Sequence, residues 1–269
     1  MTGGGGEPQR LEPDDEAPAR ERLASGWRAL QSWIGGRGAR LAIWVGVGLV
    51  AVGTVGFFVV LDALRDADDL AGLDEPVLSA LVDGRSEVLT WFLVVVTTVS
   101  GTTVLPIIVL VSALAWGLWR KRWWQAGLLA GAMVTSTIVS VSLKRIVARP
   151  RPPVDTMLGA GLEESYSFPS GHTIGAATLL LVAGYLVWVT RPTVRSLLMW
   201  LAISLVGVVL VAVSRLYLGY HFVTDVVASM ALAVAVLGGV VVVDRRRAGR
   251  AARAAADSPD VPTDPGRLD

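Results

Sequence analysis

Charged and polar positions bunch into short links along the chain, and the stretches between them are apolar on every side. Neither the alternation of a half-buried strand nor the one-sided stripe of a soluble helix is present. Runs of about 20 such residues are long enough to cross ~30 Å of hydrocarbon as helices. Six are predicted: Leu41 to Leu61, Trp91 to Trp119, Gln125 to Leu143, His172 to Val189, Ser196 to Val213 and Phe222 to Val243. The second is the longest and holds Ser100, Gly101 and Pro106, so a tilt, a kink or a short interfacial turn is expected within it. The predicted class is all-α: a polytopic membrane protein with six transmembrane helices.

Three regions follow. Residues 1–40 form a tail, polar and Gly-rich through Ala24 and expected to be disordered there. From Trp27 to Arg40, Trp27, Leu30, Trp33 and Ile34 among arginines suit an interfacial amphipathic helix. No basic segment leads straight into an apolar core at the start, so the first span is expected to be an anchor rather than a cleaved signal. Residues 41–243 are the six-span domain. Residues 244–269 are a basic tail with Arg245, Arg246 and Arg247 suited to anionic headgroups, and its end is expected to be disordered.

Composition narrows the chemistry. The chain is 53% hydrophobic and 17% charged, with a mean hydropathy of +0.57, which argues against a cytosolic enzyme. A formal charge of +1 gives no basic excess for a nucleic-acid partner. There are no cysteines, hence no disulfides, thiolate nucleophiles or Cys-ligated metals, and only two histidines, His172 and His221, too few for a multi-histidine metal centre.

Charge placement gives the orientation. Six arginines before residue 41, Arg120 to Arg122, Arg191, Arg195 and six arginines after residue 243 account for 17 of the 24 basic residues. The link from Asp62 to Glu87 instead carries eight carboxylates. By the positive-inside rule both termini are expected in the cytoplasm. Lys144, Arg145, Arg149, Arg151 and Arg215 break that pattern: they lie at span ends on the outer side, where both histidines also fall. Cations on the side that normally lacks them, gathered with every histidine, point to an anion site at the extracytoplasmic helix ends.

The local spacing refines this. In Phe168-Pro169-Ser170-Gly171-His172 the chain turns into a helix, whose free N–H groups at Ser170 and Gly171 would attract a phosphate. Taken alone, the same residues also fit a plain serine N-cap. His221 and Asp225 are four apart at the start of a span, on one face, so the carboxylate can accept the imidazole Nδ1–H and leave Nε2 free as a nucleophile. Asp155, Glu163 and Glu164 read as an ordinary solvated loop. Arg149 reads as a surface residue or a contact for a second phosphate or a headgroup.

Lys144 with Arg151-Pro152 seven residues on, Pro169-Ser170-Gly171-His172, and Ser214-Arg215 with His221 and Asp225 together resemble the three-part signature of the type 2 phosphatidic acid phosphatase superfamily. All three parts are present in order and without substitution, over a resemblance reaching from about Asp74 to Val243. The resemblance implies a metal-independent phosphatase with no cofactor. In it His221 attacks phosphorus, Asp225 orients it, and His172 protonates the leaving oxygen and later activates water. Lys144, Arg151, Ser170, Gly171 and Arg215 would hold the non-bridging oxygens. The resemblance covers enzymes for phosphatidic acid, an undecaprenyl-type polyprenyl pyrophosphate, phosphatidylglycerophosphate and diacylglycerol pyrophosphate, and the reading favoured is one of the first two in a bacterial plasma membrane. The alternatives are a lipid phosphotransferase using the same site and a non-catalytic phospholipid-binding protein or transporter.

Overall fold

The computed structural model describes residues 16–66, 70–158, 163–190 and 192–256, with side chains from residue 38 onward. Eight helices and two short 3-10 turns, at Ala71–Leu73 and Val154–Thr156, make up its regular structure; among the described residues there is no strand. The helices are α1 (Glu16–Asp66), α2 (Asp74–Asp83), α3 (Glu87–Val99), α4 (Val104–Leu118), α5 (Trp123–Val147), α6 (Gly171–Trp188), α7 (Val194–Tyr217) and α8 (Val223–Ala256). Five of the helices are each long and apolar enough to span a membrane. The pair α3 and α4, bent by 52° at a short break, makes up to six.

The chain divides into two units, one of Met1–Ile43 with Arg245–Asp269 and one of Trp44–Asp244. In the first, the backbone is helical from Glu16 and again as far as Ala256. The residue-40 boundary expected from composition therefore falls inside a continuous helix, and the basic segment after residue 243 begins as helix. Of the tail expected to be disordered through Ala24, residues 16–24 are helical instead; residues 1–15 and, at the C-terminus, 257–269 lie outside the described residues.

In the second unit α6 packs along α7 and α5, α5 along α4, and α3 along α7. Leu129, Val182 and Leu186 fill the space between α5 and α6, and Ile174, Ala177, Val208 and Ala233 fill that between α6, α7 and α8. Trp44, Val52, Val134, Ile138, Leu205 and Val206 are exposed. An apolar exterior of this extent suits lipid rather than water. Close backbone approach brings α1 against α8: a Cβ on Gly53 would meet Ala231 O and Ala235 N at 2.5 Å, and one on Gly238 would meet Gly46 O at 2.5 Å. Glycine at such crossings lets two spans pack backbone to backbone where burial from water supplies no drive.

The long span expected from Trp91 to Trp119 is broken where its Ser100 and Gly101 fall, into α3 and α4, which together count as one bent span. Ser100 bonds back into the last turn of α3 through both its N–H and its hydroxyl. Pro106 lies in the first turn of α4, where a missing N–H is tolerated. The helix directions settle where chemistry can gather: α5 and α7 end, and α6 and α8 begin, at the same end of the bundle. Two helix N-termini with partial positive charge thus meet two last turns that carry cations, Lys144 and Arg145 on α5 and Arg215 on α7.

Candidate active site

His221 lies just before α8 and Asp225 in its first turn. The imidazole Nδ1 is 3.1 Å from Asp225 Oδ2, and the two side chains are 1% and 0% exposed. The same carboxylate oxygen accepts from the Phe222 N–H at 3.0 Å and from the Ser167 hydroxyl. His221 Nε2 faces Arg151 Nη1 at 3.3 Å. Burial pushes the His221 imidazole down to about 3, assisted by Arg215 and Arg151 and opposed by Asp225. The ring is therefore neutral near pH 7, with a lone pair available.

Two arginines act on that ring, and Lys144 lies near both of them. Arg151 reaches in from the link after α5, tied to Tyr220 O at 2.7 Å and to Ser165 O at 2.6 Å. Arg215, 1% exposed, donates to Thr97 Oγ1 at 2.7 Å and stacks over the Tyr220 ring at 4.3 Å. Its Nε has no hydrogen-bond partner, an uncommon state for a buried donor. Lys144 donates to the carbonyl of Tyr166 and lies 3.4 Å from that of Ser167. Gly219, at φ +76°, makes the turn that carries the chain from Arg215 to His221; a side chain there would run into the Thr156 backbone.

His172 opens α6 with Arg215, Glu163, Arg151 and Lys144 as its charged surroundings. A Cβ on Gly101 would come within 3.5 Å of its Nε2, so the break between α3 and α4 abuts that imidazole. Ser170 is used differently from the expectation of a phosphate ligand. Its hydroxyl caps α6, accepting from the Thr173 N–H at 3.4 Å and the Thr173 hydroxyl at 3.0 Å. Its N–H donates to Asp225 O at 3.3 Å, and its carbonyl accepts from Ser229.

Two acidic readings need correction. Glu163 is no solvated loop residue: its carboxylate bridges Arg151 Nη2, at 2.6 Å, and Arg215 Nη2. The two arginines outweigh burial and hold Glu163 down at about 2. Asp74, one of eight acids in a link read only for its charge, is buried on α2 against Arg149 and Thr224. Arg149 accordingly is no surface residue, but is clasped between Asp74 and Asp225. Ser167 was also missed, since a serine three residues before Ser170 carries no distinctive spacing. Among the described residues no three His, Asp or Glu side chains gather as potential metal ligands.

An all-helical chain with five or six spans, its buried charges and histidines confined to one end of the bundle, is a multi-span membrane enzyme. Comparison with known proteins identifies which. Residues 125–248 match the family model of the PAP2 superfamily. The chain is 32% identical over 178 residues to phosphatidylglycerophosphatase B of Bacillus subtilis, spanning 65% of this chain and 85% of that protein. It is 35% identical over 136 residues to decaprenylphosphoryl-5-phosphoribose phosphatase of Mycobacterium tuberculosis, spanning 50% of this chain and 68% of that one. The crystal structure of the transmembrane PAP2-type phosphatidylglycerolphosphate phosphatase from Bacillus subtilis superposes with a TM-score of 0.65 at 27% identity, covering 75% of this chain and 96% of that one. The chain belongs to the PAP2 superfamily and is a membrane phosphatase.

Proposed function

We propose that this membrane lipid phosphatase transfers the phosphoryl group of a lipid phosphate to His221 Nε2 and then to water. The observation that carries the proposal is the His221 ring itself: Nδ1 on Asp225, Nε2 turned toward Arg151, and the whole ring buried among cations. As the N–P bond forms and the bond from phosphorus to the lipid oxygen breaks, His172 gives that oxygen a proton. Left neutral by that transfer, His172 removes a proton from water, whose oxygen attacks phosphorus as the N–P bond breaks, releasing phosphate and restoring the protonated His172. Asp225 holds the Nδ1 proton and balances the positive charge on the phosphorylated ring.

Lys144, Arg151, Arg215 and the α6 N-terminus at Ser170 and Gly171 stabilise the charge spread over the three non-bridging oxygens. Ser170, whose N–H and carbonyl are taken by Asp225 and Ser229, contributes through its cap on α6. Glu163 now takes up two of the arginine forks, so an incoming phosphate must share them with it or displace it. A site at helix ends matches a substrate whose phosphate rides at headgroup height while its tails stay in lipid. The names of the relatives point to phosphatidylglycerophosphate and to a phosphorylated polyprenyl sugar, alongside phosphatidic acid and polyprenyl pyrophosphate. We place the site on the outer face of the plasma membrane with both termini cytoplasmic, a reading supported by the basic asymmetry of the links.

The test is phosphate release by detergent-purified protein, with EDTA present, from phosphatidylglycerophosphate, phosphatidic acid and polyprenyl pyrophosphate. Release that is lost in a folded His221→Ala variant supports the proposal and ranks the substrates. Wild-type turnover by that variant overturns the nucleophile, and no release from any lipid by folded wild-type protein favours transfer to another acceptor or binding alone.

A further inference from the structure

The contacts around Asp225 extend past the residues that would touch substrate. Its Oδ2 serves His221, Phe222 N–H and Ser167, as described above; its Oδ1 receives Arg149 Nη1 at 2.6 Å. The same Nη1 lies 2.7 Å from Thr224 Oγ1, and the other arm, Nη2, lies 2.6 Å from Asp74 Oδ2. Asp74 in turn accepts from the Thr224 N–H at 3.0 Å, one of the first-turn amides of α8 that have no partner within the helix, and from the Thr224 hydroxyl at 2.7 Å. The guanidinium Cζ lies over the Phe222 ring, 4.2 Å from its centroid. Asp74 is 3% exposed and Arg149 13%.

We propose that Arg149 and Asp74 are positioning residues for the proposed nucleophile, a relay from α2 through the link after α5 to α8 that fixes the Asp225 carboxylate and with it the His221 ring. A carboxylate turns freely about its own axis unless both oxygens are held. With Oδ1 locked by Arg149, only Oδ2 is left to face Nδ1, so the ring is presented in one orientation and one tautomer. Arg149 also offsets the charge on Asp225. An uncompensated carboxylate beside His221 would draw a proton onto the ring and remove the nucleophilic lone pair, whereas the shared one leaves it neutral. Asp74 anchors the far arm of the fork, and its grip on Thr224 ties the fork to the helix turn that carries Asp225. A lysine offers no planar fork for two carboxylates at once.

The relay rests on the phosphohistidine reading above, and the variants separate the two. Steady-state kinetics on whichever of the three lipids is cleaved fastest would compare Arg149→Gln, Arg149→Lys, Asp74→Asn and the double variant Asp74→Asn with Arg149→Gln, each checked for folding by gel filtration. The expected result is a kcat lowered by about 10- to 100-fold in Arg149→Gln, by analogy with the loss when a partner that orients a metal-ligating histidine is removed, with KM changed less than about twofold. Arg149→Lys should recover part of the loss. Asp74→Asn should lose less than Arg149→Gln, and the double variant should be no slower than Arg149→Gln alone.

Unchanged kcat in folded Arg149→Gln or Asp74→Asn overturns the relay, as does a loss confined to KM, which would make Arg149 a substrate contact. Independent, multiplying losses in the double variant overturn it too. If Arg149→Gln does not fold, the decision falls on Arg149→Lys and Asp74→Asn, and wild-type kcat in both overturns the relay. Wild-type turnover by His221→Ala would instead overturn the reading beneath it, whatever the relay variants do.

Discussion

His221 and Asp225 are legible in sequence because a spacing of four at a helix start lets the two side chains meet, His221 just before α8 and Asp225 in its first turn. The same holds for Arg215, six residues before His221, and for His172 at a helix start. Arg149 and Asp74 are not legible, because 75 residues separate them and no period relates them. Glu163 is hidden for a similar reason: only the folded link brings it between Arg151 and Arg215. At this scale Asp225→Asn should lower kcat by ~10²- to 10⁴-fold with the protein still folded, since an amide can present the wrong atom to Nδ1; comparable kinetics for the variant and wild type would remove Asp225 from the mechanism. The buried His221 also bears on acid stability. Its ordinary value of 6.5 applies when the chain unfolds, and about 3 when it is folded. Between those values the unfolded chain binds the extra proton, so stability should fall as pH drops from about 6.5 toward 3. Thermal melts in detergent should show a shallower fall in His221→Ala, and equal slopes for the two proteins would contradict the assignment.

Among the elements, the six apolar runs were readable because no soluble fold explains uninterrupted hydrophobicity on all helix faces. The break at Ser100 to Thr103 was only half readable. Serine, glycine and proline announced a disturbance, but its use, bringing Gly101 backbone up to His172, depends on α6 packing that no local pattern encodes. The α1–α8 crossing gives a prediction of its own. Gly238→Val places a side chain against the Gly46 carbonyl and Val50 N–H, both backbone atoms that cannot swing aside. Destabilisation by about 1–3 kcal/mol is expected from overpacking, read as a lowered Tm in detergent. Gly239→Ala next to it meets nothing within 4 Å and should leave Tm unchanged or slightly raised. Equal Tm values for the two variants would show that the crossing tolerates separation.

For the whole molecule, helix polarity explains how one end of an apolar bundle concentrates charge. Two N-termini and two basic C-terminal turns meet there, so the fold supplies positive potential that the net charge of +1 conceals. The opposite end carries Arg120 to Arg122 and Arg195, which are among the basic residues that give the expected orientation. Reporter fusions after Asp155 should therefore report an extracytoplasmic location and fusions after Lys121 a cytoplasmic one; the reverse pattern would invert the proposed topology and put the site on the inner face.

The central claim is the covalent step, and a quench experiment reaches it directly. Wild-type protein mixed with lipid carrying a radioactive terminal phosphate, stopped within milliseconds in base and digested, should yield a label that survives base, is lost in acid and maps to the peptide holding His221, with none in His221→Ala. Label on another residue, or single-turnover phosphate release with no labelled protein at any time, would contradict it.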